Sequence, residues 1–423
     1  MKQSLMNMLN AKIAAGIILA GSLAAFGQSP GYPGLTVEQG LFMKGGHPFY
    51  GVGVNYFDVL IRRTGLEGRS AAGSALAYDQ GFQTLREYEI PFIRFCAGGF
   101  YPKDWDLYLK NKEAYFKIFD QLVADAEKYG IGMIPSFFWN YATVPDLSGE
   151  PINQWGNPQS KTHEFMRQYT TEVVSRYKNS PAIWGWEFGN EYLLSADLPQ
   201  PELGRGLIAP GFGTPSVRTE RDKMFRKNVW IAYQAFVDTV RSLDARRPVF
   251  SGDAEPRNAA YHNWTEEAWR DDSLGEWTTI FTKDNQAMNT LSVHFYYHAG
   301  TNVSGSATVA GLGPDKKMAF MMEIAQRTGK PLFVGEFGPD GKEKTNEEER
   351  RQFEFLLELM VTNQVQMSAV WNFDFEHPNQ IRWNITKDNH RAYMLEALRK
   401  ANRMMHEEYA GRHRELETGM EFK

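Results

Sequence analysis

Two glutamates close two apolar runs and could bring charge to one reacting bond. The first run reads Ile183-Trp184-Gly185-Trp186-Glu187-Phe188-Gly189-Asn190-Glu191-Tyr192, and the second Pro331-Leu332-Phe333-Val334-Gly335-Glu336-Phe337-Gly338. Retaining hydrolysis of a glycosidic bond needs two carboxyl groups about 5–5.5 Å apart, one attacking the sugar and one handling protons. A single Glu at a strand end is more often a capping or salt-bridged residue, and only the two together point to catalysis. Glu187 competes with Glu191, but it lies earlier on its strand, roughly 13 Å deeper in an extended chain. It is read as a buried hydrogen-bonding carboxylate behind the site.

Two residues so far apart in sequence meet only if a closed architecture brings the ends of their strands together. Eight short apolar runs, at 50–55, 92–95, 132–138, 183–188, 249–252, 290–295, 332–336 and 369–373, alternate with longer helical stretches. That is the pattern of an α/β fold, a (β/α)8 TIM barrel with extended βα loops. Counting runs puts Glu191 on the fourth strand and Glu336 on the seventh, both at the end where barrels carry their chemistry. Phe116, Phe119, Leu122, Val123 and Ala126 recur at helical spacing before Gly130, a good helix stop. The stretches 316–328, 351–362 and 391–405 read the same way. Long insertions at 199–219 and 255–288 follow strands four and five, where they are expected to shape a substrate cleft.

The 423 residues are 42% hydrophobic and 23% charged, enough for a substantial core in one large domain. Aromatic residues make up 14%, with 11 Trp, which suits a protein that offers flat rings to a ligand such as a sugar face. The formal net charge of −5 gives no electrostatic reason to expect nucleic acid or an anionic membrane as partner. Residues 1–27 read as an export signal, with Lys2 and Lys12 ahead of an apolar run at 14–25 that is too short to span a bilayer. The expectation is therefore a secreted or periplasmic protein with no integral membrane domain. Residues 28–40 are expected as an extended leader, 41–410 as the catalytic barrel and 411–423 as a charged tail. Cys96 is the sole cysteine, so no internal disulfide can form.

From Phe42 and the run 46–56, through Arg94, Asn190-Glu191, His294-Phe295-Tyr296, Glu336 and Trp371, the chain resembles glycoside hydrolase family 5, in the clan of retaining barrel glycosidases. The likeness covers nearly the whole mature chain, with these residues in order at successive strand ends. It implies that Glu191 is the acid/base and Glu336 the nucleophile. Arg94 and Tyr296 would keep Glu336 ionised, Asn190 would bond the sugar 2-hydroxyl, His294 would orient the acid/base, and Trp371 would form the floor under the sugar. Tyr56, Trp139, Tyr141, Tyr192 and Tyr297 are candidate sugar platforms. The family's usual strand-three histidine is missing from Ile134-Pro135-Ser136-Phe137-Phe138-Trp139-Asn140, and Trp139 with Asn140 is expected in its place. This aromatic–amide ending is similar to that of some mannan-cleaving members. The substrate is expected to be a β-1,4-linked mannan, glucomannan or glucan, cut internally and without metal or cofactor; the oligomeric state is left open.

Other chemistries fit less well. His294 and His298 lie on a strand and its exit rather than on the helical face of a zinc-protease motif. Gly51-Val52-Gly53 lacks the third glycine of a dinucleotide fingerprint. A carbohydrate-binding barrel without catalysis would keep the aromatic platforms but has no need of both carboxylates and their Arg and Tyr neighbours. An exo-acting β-glycosidase of the same fold is the remaining alternative.

Overall fold

The structure, a computed structural model, describes residues 34–64, 78–200, 202–298, 306–342 and 344–410. The expected signal at 1–27, the first part of the leader and the tail at 411–423 lie outside the described residues.

Eight parallel strands form the barrel: β1 Gly51–Asn55, β2 Phe92–Cys96, β3 Gly132–Phe138, β4 Trp186–Gly189, β5 Val249–Phe250, β6 Leu291–Tyr296, β7 Leu332–Gly338 and β8 Met367–Val370. Their ladder runs β5-β4-β3-β2-β1-β8-β7-β6. The last seam, between β5 and β6, is bridged by side chains instead. Thr290 Oγ1 donates to the Val249 carbonyl at 2.8 Å, and Asn289 Oδ1 accepts from the Val249 N–H at 2.8 Å.

All the expected strands are present, with shifted ends. Strand four begins at Trp186 rather than 183, Ile183 keeping only an isolated bridge to Met133. Strand five is two residues long, and Gly252 just beyond it takes φ +76, which the ladder cannot accommodate. Part of the expected leader belongs to the fold: Thr36–Glu38 pairs antiparallel with Leu41–Lys44, which pairs with His47–Pro48.

Leu35, just before this small sheet, and Phe42 within it join Phe92, Ile134, Trp184, Phe250, Phe333, Met367 and Ala369 in one buried cluster. Because strand side chains alternate, Phe92 and Arg94 share a face, so this apolar filling lies below the polar end of the barrel. The larger apolar cluster packs the strands' outer faces against the helices.

The helices start and stop where local chemistry allows. Asn111 caps Lys112–Tyr129 by accepting from the Ala114 N–H, and Gly130 ends it at φ +67. Thr345 caps Asn346–Thr362, while Pro314–Thr328 opens on proline and ends at Gly329. Among the described residues no helix is long and apolar enough to cross a membrane.

Candidate active site

Arg94 is the hub of the site. On β2 it points into the barrel mouth with no exposed surface, and it donates in four directions. Nε reaches Glu187 Oε1 and Oε2 at 2.8 and 3.0 Å, and Nη1 reaches Asn55 Oδ1 at 3.0 Å and Glu336 Oε1 at 2.8 Å. Nη2 reaches Asn190 Oδ1 at 2.7 Å. Burial works against the guanidinium charge, but Glu187 and Glu336 outweigh it and hold the group firmly cationic. The Trp139 ring covers the guanidinium, with its centroid 4.3 Å from Cζ.

Glu336 is aimed by an irregularity in β7. Val334 pairs with Val293, yet Glu336 pairs with His294, so Gly335 is an extra residue in the ladder. Asn55 Nδ2 secures that bulge through the Gly335 carbonyl at 2.9 Å. A side chain at Gly335 would crowd His294 Nε2. The result places Glu336 Oε2 2.6 Å from the Tyr296 hydroxyl, which donates to it. Burial, and then the Glu336 charge, push the Tyr296 hydroxyl well above the usual tyrosine range, so it stays a donor.

Glu191 sits just past β4 in the left-handed region, at φ +54. That conformation is costly for a residue with a side chain and persists only when its surroundings enforce it. Its N–H donates to the Gly252 carbonyl at 3.0 Å, and Asp253 Oδ1 accepts from the Leu193 N–H at 3.0 Å. Glu191 keeps 33% of its side-chain surface open to the cleft against 5% for Glu336. Its setting at the cleft base, poorly hydrated, raises its pKa, with Arg94 opposing.

His294 Nδ1 lies 2.9 Å from Glu191 Oε1 and 3.6 Å from Glu336 Oε2. Burial pushes the imidazole down to about 3, so it is neutral near pH 7. One donor atom from each of Glu191, His294 and Glu336 lies within 4.8 Å of the others. That separation suits the two carboxyls of a retaining glycosidase. It could also hold a metal ion, but the Arg94 guanidinium already supplies a cation to Glu336 there.

The cleft above these groups holds about 1040 Å³ and is walled by aromatic residues. Of the expected platforms, Trp139, Tyr141 and Trp371 line it. Trp371 and Trp139 are tilted together at 5.9 Å, and the Trp371 indole N–H donates to Gln380 Oε1 at 2.8 Å. Asn140 lines the cleft too, although its amide is spent on the Phe100 carbonyl and the Ala142 N–H.

Three expected platforms are not in the cleft. Tyr56 is wholly buried, donating to Asp374 Oδ2 at 3.0 Å and packing on Phe373. Alternation along β1 explains it: Asn55 faces the barrel mouth, so Tyr56 faces outward. Tyr192 is buried with its hydroxyl on the Phe138 carbonyl at 2.7 Å, and Tyr297 packs against Phe355.

Sequence reading missed Phe57, Phe100, Tyr101, Phe212, Phe375 and Trp383, which complete the walls. They sit in irregular loops where no periodicity marks them. The 199–219 insertion does reach the cleft, through Leu207 and through Phe212 stacked on Tyr101 at 4.9 Å. The 255–288 insertion contributes none of the lining residues and folds into Ala260–Glu266 and Leu274–Asp284 beside the barrel. The loop after β8 takes its place, with Phe375, His377, Gln380 and Trp383.

Known proteins share this architecture. The endo-1,4-beta-mannanase from Rhizomucor miehei superposes with a TM-score of 0.59 at 16% identity, covering 88% of this chain and 99% of that one. The endo-beta-1,4-mannanase from Thermotoga petrophila gives 0.54 at 14% identity, covering 84% and 77%. At such identities the likeness is one of fold. In sequence, mannan endo-1,4-beta-mannosidase F of Aspergillus clavatus is 35% identical over 78 residues, 17% of this chain and 18% of that protein. Putative mannan endo-1,4-beta-mannosidase 9 of Oryza sativa subsp. japonica is 27% identical over 177 residues, 37% and 42% of the two chains. The chain thus spans less than half the length of these two relatives. The Cellulase family profile (glycosyl hydrolase family 5) extends further, over residues 53–377. That stretch runs from within β1 to beyond β8 and takes in Arg94, both carboxylates and Trp371, and the chain belongs to this family.

Proposed function

We propose that this protein is a retaining O-glycosyl hydrolase that cuts internal β-1,4 linkages of mannan. The observation that carries the reading is the pair Glu191 and Glu336, with carboxyl oxygens within 4.8 Å and unequal surroundings. Glu336 accepts from a cation and a hydroxyl, which hold both its oxygens in place for attack. Glu191 sits where burial favours the protonated form that an acid needs.

In the first step Glu336 attacks the anomeric carbon, the bond to the leaving sugar breaks, and Glu191 gives its proton to the departing oxygen. In the second, Glu191 takes a proton from water as the water displaces Glu336. Asn190 has its carbonyl fixed by Arg94, and its NH2, which has no partner among the described residues, is proposed to bond the sugar 2-hydroxyl. Mannan is favoured over other β-1,4 glycans because the relatives similar in sequence are mannan endo-1,4-beta-mannosidases. The aromatic walls suit any pyranose chain. Residues 1–27 are proposed to direct secretion, which N-terminal sequencing of the exported protein would test by a start at Gln28.

The test is reducing-sugar release from mannan, glucomannan, mixed-linkage glucan and cellulose by the wild type and by Glu336→Gln. The reading predicts fastest release from mannan, products of mixed length, and no release by the variant. Equal release by the two proteins would remove Glu336 from the mechanism.

A further inference from the structure

Arg94 serves two carboxylates at once, Glu336 in the site and Glu187 behind it, and only Glu336 changes charge during the proposed reaction. Glu187 and Arg94 have no side-chain exposure, and Nε meets both Glu187 oxygens. Glu187 also abuts Gly252, where any side chain would strike its carboxyl group. Glu187 is thus closely packed where it meets Arg94, and neither side chain is exposed to water.

When Glu336 becomes a glycosyl ester it is neutral, and one of the two negative partners of Arg94 is gone. An unpaired buried guanidinium is strongly disfavoured. We propose that Glu187 is the counter-ion that keeps Arg94 neutralised through the lifetime of the glycosyl-enzyme. It is a positioning residue that acts through Arg94 and touches no substrate. The inference rests on the hydrolase reading given above.

In the resting site the groups facing Glu187 are Arg94 from β2, Ser136 from β3 and Glu336 from β7. Burial lifts Glu187 to about 7, with Arg94 and Ser136 opposing and the Glu336 charge adding to the rise. Esterification of Glu336 removes that repulsion, so Glu187 holds its charge more firmly in the intermediate, when the charge is needed.

Removing the Glu187 charge then acts on the two steps in opposite directions. Arg94 would bind the resting Glu336 carboxylate more tightly, making it a poorer nucleophile and slowing glycosylation. In the intermediate Arg94 would be unpaired, which favours release of Glu336 as a carboxylate and hastens deglycosylation.

Two measurements test this. In the first, rapid-mixing kinetics with a dinitrophenyl β-mannobioside separate the two rate constants in wild type and Glu187→Gln. The glycosylation-to-deglycosylation ratio should fall at least tenfold in the variant. A variant that merely misplaced Arg94 would slow both steps alike, and an unchanged ratio would overturn the proposal. The second needs no activity: Glu336→Gln mimics the neutral ester, so Glu187→Gln is introduced with and without it and unfolding is followed in denaturant. The unfolding equilibrium constant should rise at least tenfold more in the Glu336→Gln background, and equal effects in both backgrounds would overturn the proposal. Absence of dinitrophenolate release by the wild type would instead refute the hydrolase reading, while the stability cycle would still report whether Glu187 balances Arg94.

Discussion

The His294 imidazole presents Nδ1 to Glu191 Oε1 across 2.9 Å, and it does so as a neutral ring. A neutral ring adds no net charge beside the acid, and with its proton on Nδ1 it donates to Glu191, favouring the ionised carboxyl. Replacing His294 by Ala removes that donor and raises the Glu191 pKa further. The basic limb of the pH–rate profile of His294→Ala should therefore move to higher pH, with kcat down about tenfold to a hundredfold from loss of orientation. An unmoved basic limb would detach His294 from the acid/base.

The wild-type pH profile follows from the same carboxyls. Glu191 must be protonated for the first step, and its pKa lies above the ordinary glutamate value of 4.5. Activity on mannan is thus lost as pH rises through that elevated value. The profile of kcat/KM should fall on its basic side, and that limb should disappear in Glu191→Ala. That variant should lose about 10²–10⁴-fold on mannan. It should keep much of the first-step rate on substrates whose leaving group needs no proton, as burst kinetics would report.

The Trp139 ring lies 4.3 Å from the Arg94 guanidinium. A desolvated cation–π contact contributes about 2 kcal/mol. Trp139→Ala should lower kcat as well as raise KM, since it frees Arg94 as well as removing a wall. Trp371→Ala, whose ring does not touch Arg94 among the described contacts, should act mainly through substrate binding. Steady-state kinetics on mannohexaose separate the two.

Gly252 supports the acid/base through its backbone alone. Its φ of +76 costs any other residue about 1–3 kcal/mol, and a Cβ there would also strike the Gly189 carbonyl oxygen. Gly252→Ala should lower the denaturant midpoint by more than that first cost alone, at unchanged m-value, and reduce activity by displacing Glu191. A midpoint equal to wild type would show that the turn has room to spare.

The barrel, the two glutamates and most of their neighbours were legible because each depends on a strand, and strands announce themselves by apolar runs. Direction at a strand end was less legible. Tyr56 and Tyr192 follow site residues by one position, and one step along a strand or turn reverses the face a side chain meets. The bulge at Gly335 left no sequence mark beyond a glycine, yet it sets the aim of Glu336. Phe212 and Trp383 were illegible for another reason: their loops have no period, and their place follows from tertiary contacts such as the buried Arg218–Asp146 pair at 2.6 Å.

That pair offers a prediction of its own. Arg218 also donates to the Leu207 carbonyl at 2.7 Å, tying the 199–219 insertion to the loop after β3. Removing one partner of a buried pair costs about 3–5 kcal/mol. Arg218→Ala should lower Tm and weaken KM more for long mannan chains than for mannobiosides, because Phe212 and Leu207 would leave the cleft wall. A KM change independent of chain length would argue that the insertion does not bind substrate.

The most direct test of the mechanism is to trap its covalent intermediate. Incubation with a 2-deoxy-2-fluoro-mannosyl fluoride, followed by peptide mass spectrometry, should find one sugar esterified to Glu336 and an inactive enzyme. Inactivation with the label on any other residue, or steady turnover of the reagent with inversion at the anomeric carbon, would contradict the account.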